Sequence, residues 1–346
     1  MEENTQVADK KEYTTSLSQW SNTITGLISR DYEECGVAFD EYSKKCAMEA
    51  MASIFSLVKN DPKLQMNNLD TSNLRGIVEN CASLKLNASA FPRECYFQIR
   101  NVKTGVDPST GKDIWTKQVE MGIEGAGYDA LLSNFGKDVV QVYPYWVVKD
   151  GDIYIAPKHK GIEVTPPEWE EKGLSDKAVR VVYPVKLTDG TVTYLIAERE
   201  SVKVNLLSHV KQNMQNATFG ICADRFKATP KQKDEIKAKK TEILDALRLC
   251  GTVEDMLSCE IARPYMSGAW LDTPESMIRR KMCNNAIKKY PKNYDPMARK
   301  AQLSMDDTYR DVQEEIEENA NSVDFIETVD AAEESQESSQ PDFMKE

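Results

Sequence analysis

The sequence predicts an α+β fold in which helices flank a central, mostly antiparallel and curved β-sheet. The spacing of apolar residues carries this prediction. It is helical near the start of the chain, alternates with a period of two between about residues 95 and 197, and is helical again up to about residue 290. Helices followed by strands and then by more helices are typical of α+β folds.

Three regions are predicted along the chain. Residues 1–38 are polar and weakly patterned, which indicates a flexible lead-in with at most a short helix around Ser18 to Ile28. Residues 39–300 form the core. Residues 301–346 form an acidic tail, in which fifteen acids against two bases from residue 306 onwards give a local charge of −13. This composition predicts disorder; the alternative is an anionic segment that competes with a polyanion for a basic surface.

Two amphipathic helices open the core. From Asp40 to about Val58, apolar residues recur at helical spacing, and Asp61-Pro62 ends the element. Thr71 is a suitable N-cap for a second helix, which continues to Leu84.

A β-hairpin follows these helices. Residues alternate between apolar and polar over Cys95 to Ile99 and over Val119 to Ile123, and the turn-forming residues Gly105 to Lys112 lie between them. The turn departs from a nucleotide-binding Walker A loop, because five residues separate its glycines and Asp113 replaces the required hydroxyl.

A short helix and further strands complete the central region. The helix is predicted from about Ala126 to Phe135. The strands are predicted over residues 139–148, 152–156, 178–187 and 191–197. Pro144 and Pro184 fall inside two of them, which favours edge strands or bulges because proline has no backbone N–H to donate.

Composition excludes several classes of protein. No apolar stretch approaches the length of about 20 residues that a membrane span needs, and the first twenty residues lack the apolar segment of a secretory signal. We therefore expect a cytosolic protein. The eight cysteines are scattered without metal-ligand spacing, so a structural zinc is not expected.

No motif for covalent catalysis is visible. His159 and His209 are the only histidines, and neither lies in a recognisable nucleophile constellation. A metal-dependent nuclease built from acids such as Glu120, Glu124 and Asp129 stays open on composition, because two-metal sites use such carboxylates. A DNA-free assembly protein also stays open.

One predicted helix combines an apolar half with cations. It runs from Thr273, a candidate cap, to Pro291, in a segment where residues 201–300 carry a local charge of +8. Its cations are Arg279, Arg280, Lys281, Lys288 and Lys289. The helix is either an ordinary amphipathic surface helix or a row of phosphate-binding cations, and such a row would read no base sequence.

A second candidate surface runs from Lys85 to Tyr96, where cations and aromatic residues are interleaved. Bases of a single strand can stack on aromatic rings while Lys and Arg hold the backbone. The alternative is that Phe91 and Tyr96 belong to the core.

Two blocks of the sequence resemble the RecT family of phage and prophage single-strand annealing recombinases. The first block comprises Ile77–Leu86, Glu94–Ile99 and Val119–Gly136; the second comprises Gly268–Trp270, Met277–Lys281 and Ala286–Pro291. The resemblance covers about residues 40–295. Two departures stand out. Residues 227–263 look like a helical insertion, and Ser133-Asn134 stands where the family usually carries two arginines, with Lys137 as the nearest cation.

The resemblance implies a protein that binds single-stranded DNA and anneals complementary strands without ATP and without covalent catalysis, in phage-type homologous recombination. It implies no cofactor, with an influence of Mg²⁺ on annealing left open. The implied partners are single-stranded DNA, the annealed duplex and further copies of the chain in a ring or helical filament. A phage exonuclease and the host single-strand-binding protein are candidate partners, in the cytoplasm of a bacterial host and without a membrane.

Site residues follow from the resemblance and the charge pattern together. The predicted backbone contacts are Arg279, Arg280, Lys281, Lys288 and Lys289, then Lys85, Arg93, Lys103 and Lys137. Phe91 and Tyr96 are the predicted stacking rings.

Overall fold

The structure, a computed structural model, describes residues 16–60, 69–223 and 227–306. It is 48% helical and 22% strand, with antiparallel sheets and some curvature, so the predicted α+β class is confirmed. Most of the predicted acidic tail and the first part of the predicted lead-in lie outside the described residues. No helix in the described ranges is long and apolar enough to cross a membrane.

Three helices form the first layer: α1 (Ser16–Glu34), α2 (Glu41–Asn60) and α3 (Thr71–Ser83). Helix α1 corrects the prediction of a flexible lead-in with a short helix. It is 19 residues long, and its side chains Ile24, Ile28 and Tyr32 are buried. Its apolar residues recur at four-residue spacing, so α1 packs one face against the core.

Asp70, not Thr71, holds the N-cap position of α3. Its carboxylate accepts hydrogen bonds from the backbone N–H groups of Ser72 (2.9 Å) and Asn73 (3.2 Å). Both residue types can cap a helix, so composition alone could not decide between two adjacent positions.

The predicted hairpin is present and is longer than expected. Strand β1 (Cys95–Val106) pairs with β2 (Asp113–Ile123), from Cys95 opposite Ile123 to Val106 opposite Asp113, with a shift of register between Lys103 and Gly105. In the turn, the Asp107 carboxylate accepts a hydrogen bond from the backbone N–H of Ser109 (2.8 Å). This side-chain bond stabilises the turn locally.

Helix α4 (Gly125–Phe135) leads from the hairpin into a four-stranded antiparallel sheet. Its strands are β3 (Val139–Val142), β4 (Trp146–Lys149), β9 (Ala178–Leu187) and β10 (Val192–Glu198). Strand β9 is central, with β10 on one side and β3 and β4 on the other. Between β4 and β9 the chain forms two short antiparallel pairs. Strand β5 (Ile153–Ile155) pairs with β8 (Glu168–Glu170), and between them in the chain β6 (His159–Lys160) pairs with β7 (Glu163–Val164).

The two strand prolines occupy one break in this sheet. Pro144 lies between β3 and β4, so the single strand predicted over residues 139–148 is two strands. Pro184 lies in the central strand, which corrects its predicted edge or bulge position. The Pro184 carbonyl accepts a hydrogen bond from Tyr143 N–H (3.0 Å), so Pro184 faces the break between β3 and β4. The N–H and C=O of one strand residue point to the same side of the strand. An N–H at position 184 would therefore face the gap between β3 and β4, where the ladder is already interrupted, so proline is tolerated there.

Helices complete the chain. After a 3₁₀ turn (Arg199–Val202) come α5 (Lys203–Asn213), α6 (Pro230–Leu249), α7 (Val253–Leu257), α8 (Gly268–Asp272) and α9 (Pro274–Lys288), with a further helix over residues 296–306. Residues 227–263 are largely helical, as predicted. Ile243, Leu247 and Val253 within them belong to the main core, so this segment packs as part of the fold.

Two hydrophobic clusters make up the core. The first joins α1, α2, α3, the hairpin and residues 297–301, and the second joins β9, β10 and α5 to α9. Helix α4 connects them, because Leu131 belongs to the first cluster and the adjacent Leu132 to the second. Helix α4 is therefore packed between the two clusters.

Candidate nucleic-acid interface

A cleft of about 710 Å³ lies along one face of the hairpin. Tyr96, Gln98, Arg100 and Val102 line it from β1, together with residues of β2, of α3 and of the last part of the helix over residues 296–306. Tyr128 of α4 and Lys288 of α9 line it as well. The cleft thus brings together parts of the chain that are far apart in the sequence.

The lining of the cleft is polar and mixed in charge. Gln98 donates a hydrogen bond to Glu120 (3.1 Å), and Gln118 donates one to Asp70 (3.1 Å). Acidic and basic side chains both line the cleft, so it is not a uniformly cationic groove. Its amides and carboxylates suit hydrogen bonding to polar edges more than neutralisation of phosphates.

Tyr96 is buried within the hairpin instead of standing free. Its side chain is 3% exposed, and its ring lies against Gly122, where a Cβ atom would come within 2.1 Å of the ring. The sequence prediction of Tyr96 as an open stacking ring is therefore corrected: one edge reaches the cleft and the rest is packed. Phe91, by contrast, is fully exposed at 103%.

The predicted cations near the hairpin are held by acids. Lys85 pairs with Asp40 (2.7 Å) and Lys103 pairs with Asp113 (2.7 Å). Each pair leaves the cation at least partly exposed, and ion pairs of this kind contribute little stability. A polyanion could compete for both cations.

The five cations of α9 do not form one exposed row, which corrects the prediction. Lys281 is only 8% exposed, and burial, with the neighbouring charges of Arg280 and Lys288, lowers its pKa to about 8. Arg280 pairs with Glu124 (2.7 Å), whereas Arg279 lies near Tyr145 and Cys283. The reason is that α9 contacts α4, β9 and β10, so more than one of its faces is covered.

Exposed lysines gather where α9 ends. We call Lys137, Lys288, Lys289 and Lys292 the terminal lysine cluster. The backbone N–H of Lys137 donates to the carbonyl of Pro291 (2.9 Å), which joins the end of α4 to the end of α9. Lys292 directs its amine to the carbonyls of Lys288 (3.2 Å) and Tyr290 (3.1 Å), so it caps the helix. Lys137, Lys288 and Lys289 are exposed.

Lys288 connects this cluster to the cleft. Its amine lies 4.2 Å from the centroid of the Tyr128 ring, and both residues line the cleft. A cation over an aromatic face is an arrangement that a single strand can use, because the ring offers a stacking surface and the amine meets the phosphate. The sequence predicts a role for Lys288, whereas Tyr128 is not among the predicted site residues.

Comparison with known proteins decides the family. A model of the RecT family matches residues 48–323, which is most of the chain and includes the hairpin, α4 and α9. The chain belongs to the RecT family. RecT proteins act in phage-type single-strand annealing recombination and are annealing proteins, not enzymes in the usual sense. The resemblance seen in the sequence is thereby confirmed. No curated protein matches the chain.

The acids of the alternative nuclease hypothesis have other partners in this RecT protein. Glu120 accepts a hydrogen bond from Gln98, Glu124 pairs with two arginines, and Asp129 accepts a hydrogen bond from Tyr183 (3.0 Å). Within the described residues, no group of three or more His, Cys, Asp or Glu side chains could hold a metal ion.

Asp129 gives this RecT protein a pH-dependent contribution to stability. Burial raises its pKa from 3.8 to about 6, although the Tyr183 hydroxyl favours the charged form. A carboxyl whose pKa is higher in the folded state destabilises the fold as the pH rises from about 4 to above 6. We expect Asp129→Asn to raise the free energy of unfolding by about 2 kcal/mol at pH 8 and by little at pH 4, as measured by urea denaturation.

The matched control for this prediction is Asp176→Asn, since the Asp176 side chain is fully exposed. It should leave the pH dependence of stability unchanged. An Asp129→Asn variant that is less stable than the unmodified protein at pH 8 would contradict the argument.

Proposed function

We propose that this RecT protein binds single-stranded DNA and anneals it to a complementary strand without ATP or another cofactor. The observation that carries the proposal is the placement of Lys288 over Tyr128 at the cleft, next to the exposed lysines of the terminal lysine cluster. Cations neutralise phosphates and release counterions, while aromatic rings hold bases without reading their sequence.

The chemistry of pairing belongs to the bases, and the protein contributes alignment. Lys137, Lys288 and Lys289 hold the backbone, Tyr128 supports a base, and base edges remain open to a second strand. The mixed polar face of the hairpin, with Gln98 and Glu120, contacts exposed base edges or the sugar. In this arrangement binding depends on salt and only weakly on sequence.

RecT proteins generally associate with copies of themselves. A ring or helical filament of copies would extend a short binding site along a strand, since heterologous contacts generate such assemblies. The proposed setting is the bacterial cytoplasm during phage-type recombination. A phage exonuclease that supplies single strands and the host single-strand-binding protein are the proposed partners.

The test uses the full-length protein and two complementary labelled oligonucleotides, without ATP and with or without Mg²⁺. We expect faster duplex formation than in buffer alone, with the oligonucleotides intact. Shortened products would instead support a metal-dependent nuclease. If duplex formation is not accelerated, the oligonucleotides stay intact and filters retain no oligothymidylate with the protein, DNA binding is refuted. That outcome would favour an assembly role.

A further inference from the structure

Glu124 holds two arginines that come from different parts of the chain. Arg93, which precedes β1, bonds to Oε1 of Glu124 at 2.8 Å, and Arg280 of α9 bonds to Oε2 at 2.7 Å. Two guanidinium groups that share the oxygens of one anion form the geometry in which arginine binds phosphate. A carboxylate therefore stands where a phosphate would fit.

Glu124 also occupies the N-terminus of a helix without capping it. It is the N-cap residue of α4, yet its side chain makes no capping hydrogen bond. The first N–H groups of a helix have no partner within the helix, and together with the helix dipole they favour an anion. The two arginines and this helix end thus face the same place.

A buried amide points into the same place. Asn284 is 7% exposed, and among the described residues its Oδ1 has no hydrogen-bond partner. A Cβ atom added to Gly125 would lie 3.7 Å from Asn284 Oδ1 and 3.8 Å from Arg280 Nε, so both groups border the first residue of α4. Rotation of the amide by half a turn would present its NH₂ group, which is a donor to an anion. A buried polar group without a partner is costly, so a ligand that hydrogen-bonds to this amide would be favoured.

We propose that Arg93, Arg280, Asn284 and the N-terminus of α4 form a phosphodiester subsite, which Glu124 occupies until single-stranded DNA displaces it. This inference rests on the proposed function, because the ligand is the DNA backbone. Arg93 is the point of entry, since its side chain is 52% exposed whereas that of Arg280 is 20% exposed. Arg93 also lies over the Tyr96 ring, at 5.7 Å, and Tyr96 lines the cleft.

Glu124 acts in this proposal as an internal competitor. Ordinary single anions would not displace it, because an intramolecular carboxylate has a high effective concentration. A polyanion held at the terminal lysine cluster also has a high effective concentration, so it can compete. The result is selectivity for a continuous strand over free nucleotides or inorganic phosphate.

The test compares two variants that each remove one negative charge and free arginine from an ion pair. Glu124→Gln frees Arg93 and Arg280, whereas the control Asp245→Asn frees Arg248 on α6, which pairs with Asp245 at 2.6 Å. By fluorescence anisotropy with oligothymidylate, we expect Glu124→Gln to tighten binding about tenfold and Asp245→Asn at most about threefold. In a background with Arg93→Gln and Arg280→Gln, the two substitutions should have equal effects. Equal effects in the unmodified background, or weaker binding by Glu124→Gln, would overturn the proposal.

A second variant, Gly125→Ala, tests the subsite independently of Glu124→Gln. Gly125→Ala places a methyl group in the subsite at ordinary contact distances, so the fold should tolerate it. We expect binding weakened about fivefold with an unchanged thermal midpoint, and unchanged binding would overturn the subsite. Failure of the unmodified protein to bind oligothymidylate would refute the proposed function itself. Binding by the unmodified protein with no effect of these variants would refute the subsite alone.

Discussion

Reversing the charge of Lys288 and Lys289 together should lower the affinity for single-stranded DNA by at least about 100-fold and abolish annealing. Both amines are exposed where α9 ends, and Lys288 also contacts the Tyr128 ring. Each reversal removes one phosphate contact and adds a repulsion. Binding should also become less sensitive to salt. The slope of the logarithm of the binding constant against the logarithm of salt concentration should decrease in magnitude by about 1.4, because two cations are lost. Fluorescence anisotropy over a salt series measures both effects.

The control for this prediction carries the same change in net charge elsewhere. Lys231 and Lys237 are exposed on α6, and reversing both should change affinity by less than about threefold. Acids at the end of α9 oppose the helix dipole, so a modest fall in the thermal midpoint is expected. The neutral pair Lys288→Gln and Lys289→Gln avoids that cost and should still lose about tenfold. Equal losses from the α6 and α9 reversals would show that only net charge matters.

Lys281 is not a suitable residue for such a test, although it belongs to the same basic sequence. Its side chain is 8% exposed, and burial lowers its pKa to about 8. A glutamate at this position would be buried among the elements that pack on α9, so loss of annealing could follow from loss of the fold. The structure therefore separates cations that the sequence groups together.

Local features of the fold were predictable because they depend on neighbours in the sequence. The alternation over Cys95 to Ile99 and the turn residues around Asp107 specify the hairpin, and apolar spacing specifies α2, α3 and α9. Helix α1 was underestimated because its burial depends on packing against distant elements. Pro184 was misplaced because the break that accommodates it lies in another strand.

The candidate site was predicted only in part, for the same reason. A helical wheel shows which residues share a face of α9, but not which elements cover that face. Glu124 and Arg280 are 156 positions apart, and each looks like an ordinary surface charge in the sequence. Glu275 lies in the first turn of α9, where an acid complements the helix dipole, and its carboxylate also binds Arg199, 76 positions away. Such pairs become visible only when the fold brings them together.

Replacing Arg199 should have the largest effect on stability among the charged residues discussed. Its guanidinium donates to both oxygens of Glu275 (3.0 and 2.9 Å), to Glu254 (3.0 Å) and to the carbonyl of Ala178 (2.8 Å). The arginine is 8% exposed and Ala178 is buried, whereas the side chains of Glu254 and Glu275 are 41% and 39% exposed, so water can replace the arginine at the two acids but not at the Ala178 carbonyl. We expect Arg199→Ala to lower the free energy of unfolding by about 3 kcal/mol in urea denaturation, from lost packing and lost hydrogen bonds.

Two further variants test whether the geometry or the charge of Arg199 matters. Arg199→Lys keeps the charge but cannot bind Glu275 through two parallel bonds, so it should restore less than half of the loss. Arg248→Ala removes an exposed arginine that pairs with Asp245 at 2.6 Å, and it should cost less than about 0.5 kcal/mol.

Since Glu275 lies in the first turn of α9 and the lysines lie where α9 ends, Arg199 holds the helix that presents them. Below its unfolding transition, the Arg199→Lys protein should therefore bind single-stranded DNA with normal affinity. Weak binding by the folded variant would mean that Arg199 acts on the site directly.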